Sequence, residues 1–435
     1  MYVVYSLLLT LGFLVLLPRF LFDALRHGKY MAGFGERLGK VAPLKPTGRP
    51  VVWVHCVSVG ESQAARPLVA GIRQRFPGHT IVVSTTTLTG QKLARDVFKK
   101  EAERVFYFPF DWGWTVRRSL NAIRPSSVLI METEIWPRFF RECHSRGVAL
   151  AIVNGRLSSQ STRRYKWIRF FLKRVLQGLT LAAMQTESDA ARIIELGLDP
   201  ARVAVSGNMK FDVGTSGDSS SLVDEFRDRF GISATKPLMI AASTHAPEEE
   251  VILDALRQAK HQNLRLLLAP RHPERFDEVA SLLDRSGLKW SRRSSLPHAN
   301  DKLCDAILLD TIGELPSVYA LGKIVFVGGS ISATGGHNIL EPAAVGAAII
   351  TGPHTHNFAA ITRAFLKAGA IVNLTSGNNR ESARALAAAI DYLLSNEARR
   401  LELQTKAKEL VAQNRGATDR TIHYLEPLLT AQRAD

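Results

Sequence analysis

Charged side chains recur directly after apolar runs in this sequence, at positions where a β-strand would end. Glu61 lies in residues 55–62, after the apolar run 51–55 and at the start of a helical pattern. A helix N-terminus lowers the pKa of such a carboxylate, whereas burial raises it. Glu61 is therefore a candidate general base, with an N-terminal capping glutamate as the structural alternative.

Two carboxylates spaced two positions apart, Glu132 and Glu134, end another apolar run. Paired acids beside a buried strand end are costly to keep ionised unless cations or ligand groups lie near them. They are candidate site residues, or else helix N-terminal acids. Lys210, in residues 207–212, is a candidate fixed positive charge, with a solvated surface lysine as its alternative.

The second half of the chain repeats the pattern with different residue types. Arg271, in residues 269–275, could meet phosphate oxygens with its two-pronged guanidinium. Residues 243–245 and 310–315 end two further apolar runs. They are candidates for a hydroxyl pair beside a phosphate and a backbone pocket for a base, and simple helix capping would also explain them.

Paired glycines mark residues 328–342, which follow the short apolar run 325–327. Glycine pairs are used where the backbone needs positive φ or a close approach to a ligand. Asn338 is a plausible N-cap for a helix over residues 339–345, whose free N–H groups would face an anion such as a phosphate. The order strand, glycine loop, helix, strand is typical of a nucleotide-binding half of a doubly wound sheet.

Ten apolar runs predict the strands that must position these side chains. They are residues 51–55, 80–84, 127–131, 148–153, 203–206, 238–242, 264–269, 306–309, 324–327 and 347–350. Helical patterns between most of them predict an α/β protein with two Rossmann-like domains, each built on a parallel sheet. A ligand is expected in a cleft between the two domains, at the carboxyl ends of the strands.

The expected domain boundaries follow from the same pattern. Residues 1–25 are predicted as a membrane anchor, residues 26–212 as the N-terminal domain, residues 213–222 as a polar linker and residues 223–435 as the C-terminal domain. The last helix of the C-terminal domain could pack back on the N-terminal one.

Composition limits the class of protein. The 435 residues are 46% apolar and 22% charged, which excludes a disordered or fibrous chain. The net charge of +16 indicates a polyanionic partner, namely nucleic acid, an anionic membrane or a phosphorylated substrate. Three distant cysteines without CxxC spacing favour a reducing compartment. No Asp-x-Asp pair follows a strand, and no catalytic metal is expected.

Two segments favour a membrane over nucleic acid. Residues 1–18 contain no charged side chain and are followed by basic residues, which predicts an anchor with the rest of the chain in the cytoplasm. A signal peptide fits poorly because no basic region precedes the apolar run. Residues 156–185 carry seven basic and no acidic side chains among aromatic ones, which suits anionic headgroups. Nucleic acid, or a solvated basic helix, is the alternative.

Taken together, the motifs resemble those of the 3-deoxy-D-manno-octulosonic acid (Kdo) transferases of lipopolysaccharide assembly, in order and in spacing. They are residues 54–61, 131–137, 207–212, 270–276, 310–315 and 328–342. The resemblance implies a GT-B glycosyltransferase anchored to the cytoplasmic face of the inner (plasma) membrane. It would move Kdo from CMP-Kdo to a lipid A precursor, lipid IVA, by an inverting, metal-independent transfer, without a cofactor and with no nucleic-acid partner.

The resemblance also assigns roles to residues. Glu61 would be the base, and Glu132 and Lys210 would stabilise the transition state. CMP would lie against residues that the motifs share, namely Pro270, Arg271, Ile312, Gly313, Glu314, Asn338, Ile339, Leu340 and Glu341. Many relatives have Met where this chain has Ile312, and both side chains are apolar. Two other hypotheses stay open: a sugar-nucleotide epimerase or hydrolase on the same fold, and a membrane-associated protein that binds anionic lipid.

Overall fold

The computed structural model describes residues 1–27, 33–212, 220–233, 235–261 and 263–430. The chain divides into two compact units. Unit 1 comprises Met1–Val213 and Asn414–Asp435, and unit 2 comprises Gly214–Gln413. Most of the predicted linker at 213–222 lies outside the described residues, and its last three residues begin a helix of unit 2.

Unit 1 is built on a sheet of seven parallel strands in the order β3-β2-β1-β4-β5-β6-β7. The strands are β1 (Val51–Cys56), β2 (Thr80–Thr85), β3 (Arg104–Tyr107), β4 (Ser127–Met131), β5 (Ala149–Gly155), β6 (Leu181–Met184) and β7 (Val203–Val205). Trp53 packs into one apolar cluster, and Val52 and Val54 pack into another. Because successive side chains of a strand point to opposite faces, this sheet is buried on both faces.

Helices cover both faces of that sheet. They are α1 (Tyr2–His27), α2 (Phe34–Arg37), α3 (Val59–Arg75), α4 (Leu88–Val97), α5 (Gly113–Ile123), α6 (Pro137–Ser145), α7 (Ser159–Lys166), α8 (Arg169–Leu176) and α9 (Glu187–Glu195). Serine and threonine side chains cap several of them, as Ser58 does for α3 and Thr87 for α4.

Unit 2 contains a second parallel sheet, in the order β10-β11-β9-β8-β12-β13-β14. Its strands are β8 (Leu238–Thr244), β9 (Arg265–Pro270), β10 (Trp290–Arg292), β11 (Ala306–Leu308), β12 (Ile324–Val327), β13 (Ala348–Thr351) and β14 (Val372–Asn373). Its helices are α10 (Ser220–Phe230), α11 (Glu248–Gln258), α12 (Phe276–Ser286), α13 (Leu315–Val318), α14 (Leu340–Val345), α15 (Ala359–Lys367), α16 (Asn379–Ser395) and α17 (Glu397–Asn414).

The predicted α/β class with two parallel sheets is confirmed, and all ten predicted strands are present. Four strands were missed: β3, β6, β10 and β14. The helix predicted over residues 339–345 begins one residue later, at Leu340, with Ile339 as its N-cap. Asn338 is therefore not the cap, although its Oδ1 accepts a hydrogen bond from the Leu340 N–H at 3.1 Å.

The N-terminal helix α1 lies against unit 1 on one side. The Tyr5 hydroxyl donates to Asp111 at 2.9 Å, and the Trp112 indole donates to Thr10 at 3.1 Å. Outward-facing apolar side chains such as Leu7 and Val15 are 65% and 70% exposed. No helix in the described part of the chain has the length and apolar character needed to cross a membrane, so the predicted single-pass anchor at 1–25 is not confirmed.

A final helix, α18 (Ala417–Thr430), belongs to unit 1, where it packs on α3. Asp212 fixes its start by accepting hydrogen bonds from the N–H groups of Gly416 at 2.8 Å and Thr418 at 2.6 Å. A carboxylate in this position also interacts favourably with the helix dipole. Residues far apart in sequence thereby close the first unit.

Replacing Asp212 by Ala should lower the free energy of unfolding of unit 1 by about 2 kcal/mol, because hydrogen bonds to a charged group contribute about 1.5–3 kcal/mol. Urea denaturation measures the loss. Asp419→Ala is the matched control, since Asp419 also lies in the first turn of α18 but pairs with Arg75 at an exposed position. Equal, small effects of both substitutions would show that Asp212 does not hold the helix.

Candidate active site

Glu61 lies in the first turn of α3, directly after β1, and only 7% of it is exposed. Its Oε2 accepts from the Val57 N–H at 2.7 Å, and its Oε1 accepts from the Ser58 hydroxyl at 3.1 Å. Burial, the largest cause, raises the pKa of Glu61 to about 8, against the lowering effect of the Val57 hydrogen bond. The carboxylate therefore makes capping contacts and also has the raised pKa of a group that can accept a proton near neutral pH.

Glu132 follows β4, the strand next to β1, and brings a second carboxylate towards Glu61. Its φ of 54° lies in the left-handed region, where a residue other than glycine is strained. Its Oε1 lies 3.1 Å from the Lys210 ammonium, and each side chain is 26% exposed. Burial, and then the charge of Glu132, raises the pKa of Glu134. Both of these acids also raise the pKa of Glu61, so the structure brings all four predicted residues together.

Asn154 holds the turn that carries Lys210. This buried residue, at the end of β5, also has a positive φ of 54°. Its Oδ1 accepts from the Met209 N–H at 3.0 Å, and its carbonyl oxygen accepts from the Gln185 amide at 3.0 Å. Sequence reasoning missed Asn154. The signal was the Asn-Gly pair at the end of an apolar run, a pair that favours positive φ.

His55, at the end of β1, is fully buried and stacks on Phe108 with ring centroids 3.9 Å apart. Its Nδ1 lies 2.9 Å from the Ser84 hydroxyl. Burial lowers the pKa of His55 to about 3, so the imidazole is neutral at physiological pH. Within unit 1 the positive charge beside the acids therefore comes from Lys210 and not from this histidine.

In unit 2 the predicted residues follow four strands that are neighbours in the sheet, β11, β9, β8 and β12. Arg271, after β9, is exposed, and its backbone N–H donates to the Thr244 carbonyl at 3.0 Å. Its guanidinium has no hydrogen bond or ion pair to any residue that the structure describes. By contrast, Arg275 pairs with Glu249 at 2.7 Å and Arg293 with Glu314 at 2.8 Å. Among the described residues, Arg271 is therefore a cation at this edge that can bind an anionic ligand.

The turn 312–314 presents its backbone and not its acidic side chain. Arg293 binds both carboxylate oxygens of Glu314, at 2.8 and 3.0 Å, and the Thr311 hydroxyl donates to the same carboxylate. Gly313 has a φ of 92°, and Ile312 is 82% exposed. A planar nucleotide base could contact the backbone of this turn, which the two hydrogen bonds from Arg293 to Glu314 hold in place.

The glycine-rich loop after β12 wraps around a carboxylate of the protein. Glu248, fully buried at the start of α11, accepts four N–H groups from residues 329–332 at 2.7 to 3.2 Å and that of His245 at 3.0 Å. An internal anion therefore already takes these amides, and the phosphate site predicted at the helix start after Asn338 stays a prediction. Farther along, the Asn338 amide donates to Glu341 at 3.0 Å.

Glu248→Gln should lower the free energy of unfolding of unit 2 by about 2 kcal/mol, because a buried amide donor would face N–H groups that have lost their acceptor. Hydrogen exchange at residues 329–332 should accelerate in the same variant. Glu250→Gln provides the control, since Glu250 lies in the same helical turn and is exposed. Unchanged exchange in Glu248→Gln would mean that the carboxylate does not hold the loop.

No group of three or more histidine, cysteine, aspartate or glutamate side chains is arranged to hold a metal ion in the regions that the structure describes.

Comparison with known proteins assigns the family. Residues 32–213 match the model of the 3-deoxy-D-manno-octulosonic-acid transferase (kdotransferase) family. The chain is 35% identical to a 3-deoxy-D-manno-octulosonic acid transferase of Haemophilus influenzae, over 93% of each chain. The chain belongs to the Kdo transferase family. It is also 34% identical to the transferase of the same name from Bordetella pertussis, over 92% of this chain and 91% of the other.

This Kdo transferase is accordingly a glycosyltransferase, and the predicted GT-B fold class is confirmed. UDP-GlcNAc 2-epimerase from Neisseria meningitidis superposes with a TM-score of 0.56, covering 87% of this chain and 100% of that one. The two sequences are only 12% identical. This similarity shows a shared fold and does not bear on which reaction the chain performs.

Proposed function

We propose that this Kdo transferase moves Kdo from CMP-Kdo to a lipid A precursor, lipid IVA, with inversion at the anomeric carbon and with Glu61 as the general base. The observation that carries the proposal is the buried Glu61 carboxylate, whose pKa is raised to about 8, beside Glu132 and its partner Lys210. A base whose pKa lies near the working pH combines adequate ionisation with a strong tendency to take a proton.

In unit 1 the reaction needs a proton acceptor and a stabilised transition state. The acceptor hydroxyl oxygen forms the new bond to the anomeric carbon while its proton passes to Glu61. The sugar develops positive charge as its bond to the leaving phosphate breaks. The Glu132 carboxylate can stabilise that charge, and Lys210 holds this carboxylate in place through their 3.1 Å ion pair.

In unit 2 the available groups suit a cytidine monophosphate. Arg271 carries a guanidinium without a partner among the described residues, which can bind the leaving phosphate through two hydrogen bonds. The backbone of residues 312–314 can meet the cytosine ring, and residues 338–341 are assigned to the nucleotide by the family resemblance. Pro270 ends β9 directly before the arginine. The Arg271 guanidinium can supply the positive charge that a metal ion supplies in other glycosyl transfers.

The test is Kdo transfer in detergent. The protein is incubated with CMP-Kdo and a tetra-acylated lipid A precursor in the presence of EDTA, and the lipid is analysed by mass spectrometry. A gain of one or more Kdo masses is expected. Release of CMP with unchanged lipid would instead indicate a hydrolase, and a donor sugar changed in configuration would indicate an epimerase.

A lipid acceptor requires the enzyme to work at a membrane surface, and we place it at the cytoplasmic face of the inner membrane. The proposed membrane-binding surface consists of the exposed face of α1 and the turn between α7 and α8. Trp167 in that turn is 89% exposed, and Phe170 at the start of α8 is 79% exposed. Tyr2 of α1 contacts Phe171 of α8 with ring centroids 5.5 Å apart, so the two parts adjoin. Basic side chains of α7 and α8 flank the aromatic ones and suit anionic lipid.

Trp167→Ser and Phe170→Ser should each weaken binding to anionic vesicles by about tenfold or more, because burying one large apolar side chain contributes about 1.5–3 kcal/mol. Co-sedimentation with phosphatidylglycerol vesicles measures this. Leu296→Ser is the control, since Leu296 is also 89% exposed but lies in unit 2. Equal binding by all three variants would exclude this surface.

A further inference from the structure

Two histidines of unit 2 lie in direct contact where three loops meet. His245 follows β8, and the Nε2 atoms of His245 and His337 are 2.8 Å apart. Their rings are nearly parallel, with an interplanar angle of 6°. His272, from the loop after β9, meets the His245 ring edge-on with centroids 5.1 Å apart. At 2.8 Å one ring nitrogen must donate and the other accept, so the neutral pair shares one N–H.

Both members of the pair are held neutral in the free protein. Burial, and then the charges of His245, Arg271 and His272, lower the pKa of His337 to about 4. Burial also lowers the pKa of His245, helped by His272, Arg275 and Arg271 and opposed by Glu249. The charged groups around the pair are Arg271, the ion pair of Arg275 with Glu249, and Glu248, whose Oε2 accepts the backbone N–H of His245. An anion bound at Arg271 would add negative charge beside the pair and favour its protonation.

We propose that the His245–His337 pair takes up a proton when the phosphate of CMP binds beside Arg271, so that the pair supplies positive charge to the leaving phosphate. This inference rests on the proposed function, because it assumes that CMP is the nucleotide. His337 shares its loop with residues 338–341, and the backbone N–H of Arg271 donates to the carbonyl of Thr244, the residue before His245. The charge of Arg271 acts on both histidines, so a phosphate bound to it would act on both as well.

The charge balance of the reaction explains why such a pair is useful. The donor phosphodiester carries one negative charge, and the CMP monoester released when the sugar–oxygen bond breaks carries about two near neutral pH. The electron pair of that bond goes to the phosphate oxygen, while the acceptor's proton goes to Glu61. A proton taken from solvent onto the histidine pair offsets the added charge without a change in oxidation state.

The magnitude is sufficient. One unit charge at about 4 Å, at an effective dielectric of about 20, changes the proton affinity of an imidazole by about a thousandfold. That is enough to bring His337 from about pH 4 to about pH 7, and a dianion does more. The incoming proton goes to the bare Nδ1 of the donating ring, because the contact between the two Nε2 atoms already holds one N–H. The pair takes up only one proton, since a second would place two cations in contact.

The experiment is titration calorimetry of CMP into the full-length protein near pH 7, in two buffers that differ in ionisation enthalpy. The buffer dependence of the heat gives the number of protons taken up. We expect about one proton for each CMP bound and none for cytidine, which lacks the phosphate. The heat of cytidine binding, measured in each buffer, serves as the reference.

Variants locate the proton. His245→Asn and His337→Asn should each abolish the uptake and weaken CMP binding by about tenfold, with cytidine binding unchanged. His354→Gln, at a nearby exposed histidine outside the pair, should keep full uptake. NMR of ring-labelled histidine provides a second readout: in wild type, two imidazole signals should move towards the protonated position on addition of CMP.

The outcomes separate the two proposals. If CMP does not bind at all, the proposed donor is wrong. If CMP binds without proton uptake, or if both asparagine variants keep the uptake of wild type, the histidine pair is not the proton site and only the inference fails. Loss of uptake in both variants with CMP still bound supports it.

Discussion

Replacing Glu61 by Gln should lower kcat for Kdo transfer by about 10²–10⁴-fold, because a positioned general base contributes a factor of that size. The glutamine keeps the shape of the side chain and can still accept from the Val57 N–H, which lies 2.7 Å from Oε2 in the wild type. It cannot accept the hydroxyl proton. The measurement is steady-state transfer at saturating substrates, with KM for the donor expected to change little.

The pH dependence follows from the same carboxylate. Burial raises the pKa of Glu61 to about 8, and only the ionised form can act as a base. Transfer should therefore rise with pH through the neutral range and level off above about pH 8. Glu134 contributes to the raised pKa by its charge, so Glu134→Gln should move the midpoint of the profile to lower pH. A flat profile across this range would argue against Glu61 as the base.

Stability provides a control that separates folding from catalysis. Glu61 has a higher pKa in the folded protein than in the unfolded chain, where it is near 4.5. Between these two values the unfolded state has lost the proton and the folded state keeps it, so the group's contribution to stability falls as pH rises from about 5 to about 8. Glu61→Gln should lose this part of the pH dependence of Tm while remaining folded and inactive. If Glu61→Gln were unfolded at all pH values, its loss of activity would be explained by the loss of helix capping and not by the loss of a base.

Much of the fold was predictable because its central strands are continuous apolar runs. A strand buried on both faces of a parallel sheet does not need to alternate apolar and polar residues. A continuous apolar run such as 127–131 therefore predicts a strand directly. Two of the four missed strands lack this signal. β10 consists of Trp290, Ser291 and Arg292, and β14 has only two residues, Val372 and Asn373. Both are edge strands, where a short and partly polar segment still finds one partner.

The clustering of Glu61, Glu132 and Lys210 was predictable for a topological reason. The carboxyl ends of parallel strands lie at the same edge of a sheet, so charged residues that follow different strands are brought together. The backbone conformation and hydrogen bonds that hold these residues in place were not predictable. The positive φ of Glu132 and the contacts of Asn154 depend on how β4 and β5 end, and the apolar pattern of the sequence does not contain that information.

The glycine-rich loop shows the limit most clearly. Its paired glycines predicted positive φ or a close approach to a ligand, and Gly329, Gly335 and Gly336 do have positive φ. The amides of residues 329–332 are bound by Glu248, which lies 81 residues before Gly329 in the sequence and follows another strand. A sequence pattern shows that amides converge but not whether a side chain or a ligand fills the space. The same restriction applies to α1, whose apolar sequence is explained in part by packing against unit 1.

Replacing Arg271 by Ala should lower kcat/KM for CMP-Kdo by about 10²–10³-fold, the usual effect of removing a charged group that stabilises a leaving anion. The reason is that Arg275 and Arg293 are already neutralised by carboxylates and cannot take its place. CMP should bind the variant more weakly while cytidine binds as before. Arg271→Lys should recover only part of the loss, because an ammonium cannot form the two parallel hydrogen bonds of a guanidinium.

Arg257→Ala is the matched control for Arg271→Ala. Arg257 belongs to the same unit and pairs with Asp254 at an exposed position on α11, so its loss should leave transfer unchanged. Equal affinity of wild type and Arg271→Ala for CMP would contradict the phosphate role. Full recovery of kcat/KM in Arg271→Lys would show that only a positive charge near the nucleotide is needed, and not the two hydrogen bonds of a guanidinium. Partial recovery, with the loss confined to ligands that carry a phosphate, is the result expected for the Arg271 guanidinium, which has no hydrogen bond or ion pair among the described residues.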